Sequence, residues 1–279
     1  MRWVDVNKGD DINPNYRSRL VARQMKALDN SGASYFAPAP PLEALRSVIS
    51  LAMTRCGHHQ PDWDPMSPHR TQPSLIDVKR AYFNAKIDPR EPPTYVRLPE
   101  EDPDASTMCG RLLRHMYGTR PAADGWQEEY STMLVDLGFR QGKASPNVFY
   151  HPERNVATSV HGDDFTSEGP CDALDWLETA IAERYEITVE PRLGPGPNDA
   201  KEGRVLNRII RWCEDRIEYE ADPRQAERLI SECGPEGAKP VATPSVKPTF
   251  TQLEEDVELA KHLTTAFRGA AARGNYLLC

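Results

Sequence analysis

Two adjacent acids in the run His161-Gly162-Asp163-Asp164-Phe165 constrain this chain more than any other feature, because they fall on a tight turn between two strand-like runs, Val156 to Val160 and Phe165 to Ser167. Gly and Asp are the residues a hairpin turn requires, and such a turn holds both carboxylates at a fixed, exposed sheet edge. Asp also favours turns for purely local hydrogen-bonding reasons, so the weight comes from a second acidic position. Upstream, Ser74-Leu75-Ile76-Asp77-Val78 reads as a buried strand. Asp77 is a costly interruption there unless it leaves the core at the strand's end or is paired with a cation. Two strand-end acidic sites brought together make a divalent-metal site, and hard oxygen ligands favour magnesium or manganese over zinc. The chemistry that uses such a site is in-line phosphoryl transfer, in which two ions roughly 3.5–4 Å apart clamp the attacking and leaving oxygens.

Apolar spacing organises the rest. Arg17 to Met25 alternates as a strand and pairs with Trp3 to Val6 in a hairpin that could close over a nucleotide. Pro41 to Cys56 is a helix, with Leu42, Leu45, Ile49 and Ala52 on one face and Gly57 at its stop. Pro121 opens a second helix carrying Trp126, Tyr130, Met133, Leu134 and Leu137, closed by Gly138. Asn147 to His151 and Val156 to His161 are strands about a polar turn, and Cys171 to Tyr185 is a third helix with Leu174, Leu177 and Ile181 inward. The order predicts an α+β fold, a ferredoxin-like antiparallel sheet with helices on one face. Further on, Glu190 to Gly203 reads as a loop, and Arg204 to Trp212 with Arg216 to Glu220 as a hairpin. Asp222-Pro223 caps a helix to Cys233, Gly234 to Phe250 is a Pro-rich linker, and Glu254 to Leu278 is largely helical.

No apolar run approaches the roughly 20 residues of a membrane span, and the N-terminus lacks a signal-peptide shape, so the expectation is a soluble, intracellular chain without a membrane partner. Six scattered cysteines fit reduced thiols better than a disulfide framework. The Cys56, His58, His59, His69 group matches no zinc finger or ribbon spacing. A formal net charge of -8 counts against nucleic-acid binding, which needs local positive charge. Two basic stretches offset it: Arg17, Arg19, Arg23 and Lys26, and Arg111, Arg114, His115 and Arg120.

In eight ordered blocks the chain resembles the reverse transcriptase domain of copia-type LTR retrotransposons. Tyr16 to Arg23 is similar to "YKARLVAR", and Phe36-Ala37-Pro38 with Leu42 to Arg46 to "FAPV…LESIR". Asp77 to Asn84 is similar to "DVKNAFLNG", Tyr95 to Pro99 to "VYMEQP", and Met116 to Trp126 to "LYGLKQAPRAW". His161 to Asp164 stands at "YVDD", Lys239 to Pro244 at "KPVSTP", and Phe267-Arg268 through Tyr276-Leu277 at "YRSLVGSLMYL". The chain departs from the pattern at His161, at Arg120-Pro121 where the family has Lys-Gln, and at Asn207 where it has Gly.

The resemblance implies a reverse-transcriptase fingers and palm over 1–190 with a catalytic hairpin, a thumb- or connection-like 191–250, and a C-terminal helix in 251–279, stopping before any ribonuclease H domain. It implies that Asp77, Asp163 and Asp164 bind two magnesium (or manganese) ions and catalyse RNA-directed addition of dNTPs to a primer on an RNA or DNA template. Arg17, Arg19 and Arg23 would contact the triphosphate, Arg120 a phosphate, and Tyr82 would exclude a 2′-hydroxyl. Trp126 and Tyr117 read as core. The resemblance places such a chain in the cytoplasm, in virus-like particles, or in the nucleus. A catalytically inactive remnant that at most binds nucleic acid is the alternative, motivated by the departures and the acidic charge. A two-metal nuclease would use the same acids but leaves Tyr82 and the arginines unexplained.

Overall fold

The computed structural model describes residues 1–7, 9, 12–25, 27, 34–57, 62–234, 247–251 and 257–278. They fall into two compact units, Met1–Lys201 and Glu202–Cys279.

The first unit opens with β1 (Arg2–Asn7) and β2 (Tyr16–Val21), paired antiparallel with Val4 opposite Arg19. Helix α1 (Leu42–Cys56) follows, entered from Pro41 and ended by Gly57 at φ 69, a left-handed position that glycine adopts without strain. Its buried stripe is Leu45, Val48, Ile49, Ala52 and Cys56, the helical spacing of a single inward face. Strand β3 (Thr71–Val78) is buried at every position except Asp77. The short helix α2 (Ala81–Asn84), a small ribbon β4 (Tyr95–Arg97) with β5 (Cys109–Arg111), and helix α3 (Ala122–Asp136) come next. Strands β6 (Arg140–Gln141), β7 (Val148–His151), β8 (Val156–His161) and β9 (Asp164–Pro170), helix α4 (Cys171–Ala182) and strand β10 (Ile187–Val189) complete the unit.

The six strands form one antiparallel sheet in the order β10-β3-β9-β8-β7-β6. Within it β3, α3, β8, β9, α4 and β10 follow the split β-α-β-β-α-β connectivity. Because side chains alternate along a strand, each face has its own set. One face carries Ile76, Val78, Phe149, Val156, Val160 and Phe165, packed with Trp126, Tyr130, Met133, Leu134, Leu174, Leu177 and Ile181 from α3 and α4. Each large side chain buried this way contributes roughly 1.5–3 kcal/mol. The other face carries Leu75, Asp77, Ser159, Asp164, Thr166 and Glu168, and α1 lies against it at β3, β8 and β9.

The segment after β10 belongs with this unit, so the division falls at Lys201 rather than at the expected 190. Arg70 holds Asp199 at 2.5 and 2.8 Å, and Gln72 Nε2 donates to the Leu193 carbonyl. The second unit contains β11 (Glu202–Val205), β12 (Arg208–Trp212), β13 (Ile217–Glu220), α5 (Pro223–Cys233) and α6 (Lys261–Leu278). The expected single strand from Arg204 to Trp212 is in fact two, broken by a turn at Leu206 (φ 49) and Asn207 (φ 61). Asn tolerates that left-handed backbone better than most residues, which accommodates it where glycine stands in the resembled pattern. The expected cap on α5 is formed: Asp222 Oδ1 accepts from the Arg224 amide at 3.1 Å.

Part of the expected Gly234 to Phe250 linker, the Lys239 to Pro244 block, and the start of the expected Glu254 helix lie outside the described residues. Lys26, His58, His59 and Cys279 lie outside them too. The remaining five cysteines are free thiols. Among the described residues no helix is long and apolar enough to cross a membrane.

Candidate active site at the acidic hairpin

Strands β8 and β9 pair His161 with Asp164, which leaves Gly162 and Asp163 as a two-residue loop. Gly162 has φ 65, whereas Asp163 is not among the positive-φ residues. That is the pattern of a type II′ turn, whose twist matches the flanking strands and which places glycine first. A Cβ on Gly162 would meet nothing within 4 Å, so glycine is required there by the backbone angle and not by crowding.

The next strand brings the third acid. Asp77 is the register partner of Asp164 across β3 and β9, and the Val78 amide donates to the Asp163 carbonyl at 2.9 Å. Asp77 therefore does leave the core at the end of its strand, where it is exposed beside the turn. From the opposite face, Trp126 Nε1 donates to the Gly162 carbonyl at 2.7 Å.

The charges are strongly coupled. Asp164 has its pKa pushed up to about 7, first by burial and then by the negative charges of Asp163, Asp77 and Glu190. Asp77 is also raised, by burial and by Asp163, while Arg17, Lys79 and Arg19 pull it back. Among the described residues no three His, Cys, Asp or Glu side chains converge as a ready-made metal cluster. The expected triad is thus adjacent in its backbone but not closed at its carboxylates, which repel one another. An all-carboxylate donor set still fits a hard divalent cation, whose charge would relieve the repulsion that raises Asp164.

Tyr82 on α2 and Tyr117 lie against each other, ring centroids 4.6 Å apart, and both are raised by burial and by Asp163. Arg19 stands 5.5 Å from the centre of the Tyr117 ring. Tyr117 is therefore half-buried beside the acids and not a core residue, and its carbonyl accepts from the Ala22 amide just past the end of β2. Sequence spacing missed it; its only signal was position in the block Met116 to Trp126.

The remaining expected residues separate. Arg17 and Arg19, alternate residues of β2, act electrostatically on Asp77. Arg23 lies beyond the end of β2 and lines a different cavity, of about 360 Å³, with Gln24, Tyr95, Arg97 and Thr119. Arg120 lies over the Tyr35 ring at 4.9 Å, and its amide donates to Gln24 Oε1 at 2.9 Å. The second basic stretch loses a member: His115 is buried, and burial lowers its pKa, so it adds no surface charge.

No protein-family model matches the chain. The chain is 24% identical, over 291 aligned positions, to a retrovirus-related Pol polyprotein from transposon RE2 of Arabidopsis thaliana. The alignment takes in 99% of this chain and 18% of the polyprotein. From end to end, then, the chain is similar to one stretch of a retrotransposon Pol polyprotein, and it spans less than a fifth of that relative's length.

Proposed function

We propose that the chain is a reverse-transcriptase fingers and palm, an RNA-directed DNA polymerase domain that transfers dNTPs to a primer 3′-hydroxyl. The observation that carries this reading is the pairing of Asp77 with Asp164 in register, with Asp163 in the adjoining turn. The distant similarity to a transposon Pol polyprotein supports it. Magnesium or manganese held by Asp77, Asp163 and Asp164 would lower the pKa of the attacking hydroxyl and neutralise the triphosphate.

The protein's own groups would do the rest. Arg17 and Arg19 put two cations on β2 whose charge is felt at Asp77, and a triphosphate held there needs charge-assisted hydrogen bonds. The Tyr82–Tyr117 pair, its rings tilted at 45° to each other, puts aromatic surface beside Asp163, where the sugar of an incoming nucleotide would lie. Arg23 and Arg120, which lie apart from the acids, are better placed to touch a template strand than a triphosphate.

The test is primer extension on an RNA template with magnesium and dNTPs, beside Asp163→Asn. We expect the mutant to lose about a thousandfold in rate, the several kcal/mol that metal ions contribute to such a transition state. Folded wild-type protein that gives no product would leave the inactive remnant as the reading, and template loss without dNTPs would mark a nuclease.

A further inference from the structure

The turn that carries Asp163 is held at both of its central carbonyls, by different elements. The Asp163 carbonyl accepts from the Val78 amide of β3, next to Asp77. The Gly162 carbonyl accepts from the Trp126 indole of α3, 36 residues away in sequence. Trp126 is 1% exposed and packed edge-on against Tyr130 and Tyr185 at 5.6 and 5.2 Å, so its N–H has little freedom to follow a moving acceptor.

The Gly162 carbonyl belongs to the central peptide plane of the turn, and that plane decides the turn type. Flipping it converts type II′ into type I′, the other favoured two-residue hairpin turn, and moves Asp163 to positive φ. Asp tolerates that conformation, so local preference alone would leave both forms accessible. A flip would swing the Gly162 carbonyl away from the indole and leave a buried N–H without its partner.

We propose that Trp126 is a positioning residue: its indole N–H fixes the Gly162–Asp163 peptide plane and so sets the direction of the Asp163 carboxylate toward Asp77 and Asp164. The functional half of this inference rests on the polymerase reading above, whereas the conformational half does not. Gly162 with a free Cβ side, Asp163 at negative φ and a tryptophan donor reaching through the sheet end form one device for orienting a single acid.

The experiment replaces Trp126 in the full chain by β-(3-benzothienyl)alanine, which keeps the shape of the ring and lacks the N–H. Trp126→Phe is the second variant, and both are compared with Asp163→Asn. The conformational reading is the nuclear Overhauser effect at the turn. Wild type should give a strong contact from Gly162 Hα to the Asp163 amide, the mark of type II′. The analogue should exchange it for an amide-to-amide contact, the mark of type I′. The functional readings are manganese affinity, by electron paramagnetic resonance of free ion, and the split between kcat and KM in primer extension. We expect manganese binding about tenfold weaker, the weight of roughly one hydrogen bond, and a lower kcat with unchanged KM for the nucleotide. An analogue protein with the wild-type turn contact overturns the proposal, and one with a flipped turn but wild-type manganese affinity and kcat overturns its functional half. If wild type binds no manganese in an Asp163-dependent way, the polymerase reading fails, and the turn contact still decides whether Trp126 sets the peptide plane.

Discussion

Asp164 and Glu168 lie on the same face of β9, four residues apart, and each has a pKa near 7 for a different reason. Asp164 is raised by burial and by the like charges of Asp163 and Asp77. Glu168 is raised by burial alone, against the opposing pull of Arg55, whose Nη1 is 2.6 Å from Oε1. Its other oxygen is buried without a hydrogen-bond partner. The two ends of one strand thus separate two kinds of electrostatic strain. The first is relieved by a cation arriving from outside; the second has its cation built in and is relieved further only by a proton. A site that exists to bind something is expected to carry the first kind, and a packing compromise the second.

Removing the built-in cation should have the largest effect on stability. Arg55→Met keeps most of the aliphatic stem but leaves Glu168, whose side chain is fully buried, without its partner. We expect a loss of about 3 kcal/mol at pH 8, the size reported by breaking one side of a buried pair, read from urea midpoints. The loss should shrink toward pH 5, where Glu168 is protonated in either protein. A loss that stays constant with pH would mean that Arg55 matters through packing and that the contrast between the two ends of β9 is false.

The pH dependence itself comes next. Glu168 moves from an ordinary 4.5 to about 7, and Asp164 from 3.8 to about 7. Between those values the folded chain holds protons that the unfolded chain has released. Their contribution to stability is therefore complete below the ordinary values and is lost as pH rises through about 7. At about 1.4 kcal/mol per pH unit the shifts set ceilings of roughly 3 kcal/mol for Glu168 and roughly 4 kcal/mol for Asp164, and solvent screening of the partly exposed Asp164 brings its share well below that ceiling. Millimolar magnesium should recover the share of Asp164 and leave that of Glu168, so Asp164→Asn in the absence of magnesium and wild type in its presence should show similar shallow slopes. Equal slopes for wild type with and without magnesium would remove the distinction.

Much of the first unit was legible because its signals are local. Apolar spacing gave α1, α3 and α4, the glycines at 57 and 138 gave helix ends, and Gly162-Asp163 gave the hairpin that the register places beside Asp77. The break at Leu206-Asn207 was hidden because leucine at φ 49 is no turn signal. His115 read as surface charge, yet its ring lies against Gly125 of α3, where a Cβ would come within 2.1 Å of Nε2. That contact depends on how α3 crosses the preceding loop, which no short window of sequence encodes. The same holds for Tyr117 beside Asp163 and for the bond from Trp126 to Gly162. Long-range contacts through a helix's placement decide which side chains reach the acids, whereas the acids themselves are fixed by strand register.

The smallest predicted effect tests whether the face beneath α1 is dry. Ser159 is 2% exposed on the same face as Glu168, opposite Thr166, and its hydroxyl has no hydrogen-bond partner. A buried hydroxyl without a partner has lost its hydration and gained nothing in return. Ser159→Ala should therefore be neutral or stabilising by about 0.5 kcal/mol, seen as an unchanged or slightly higher urea midpoint. A loss above about 1 kcal/mol would mean that the hydroxyl is satisfied by an ordered water. Water at Ser159 would be one diagonal step across the sheet from Glu168, close enough to serve its second oxygen as well. The burial that raises Glu168 would then be incomplete, its pKa would fall back toward the carboxylate range, and the pH-dependent decline in stability would belong to the acidic hairpin alone.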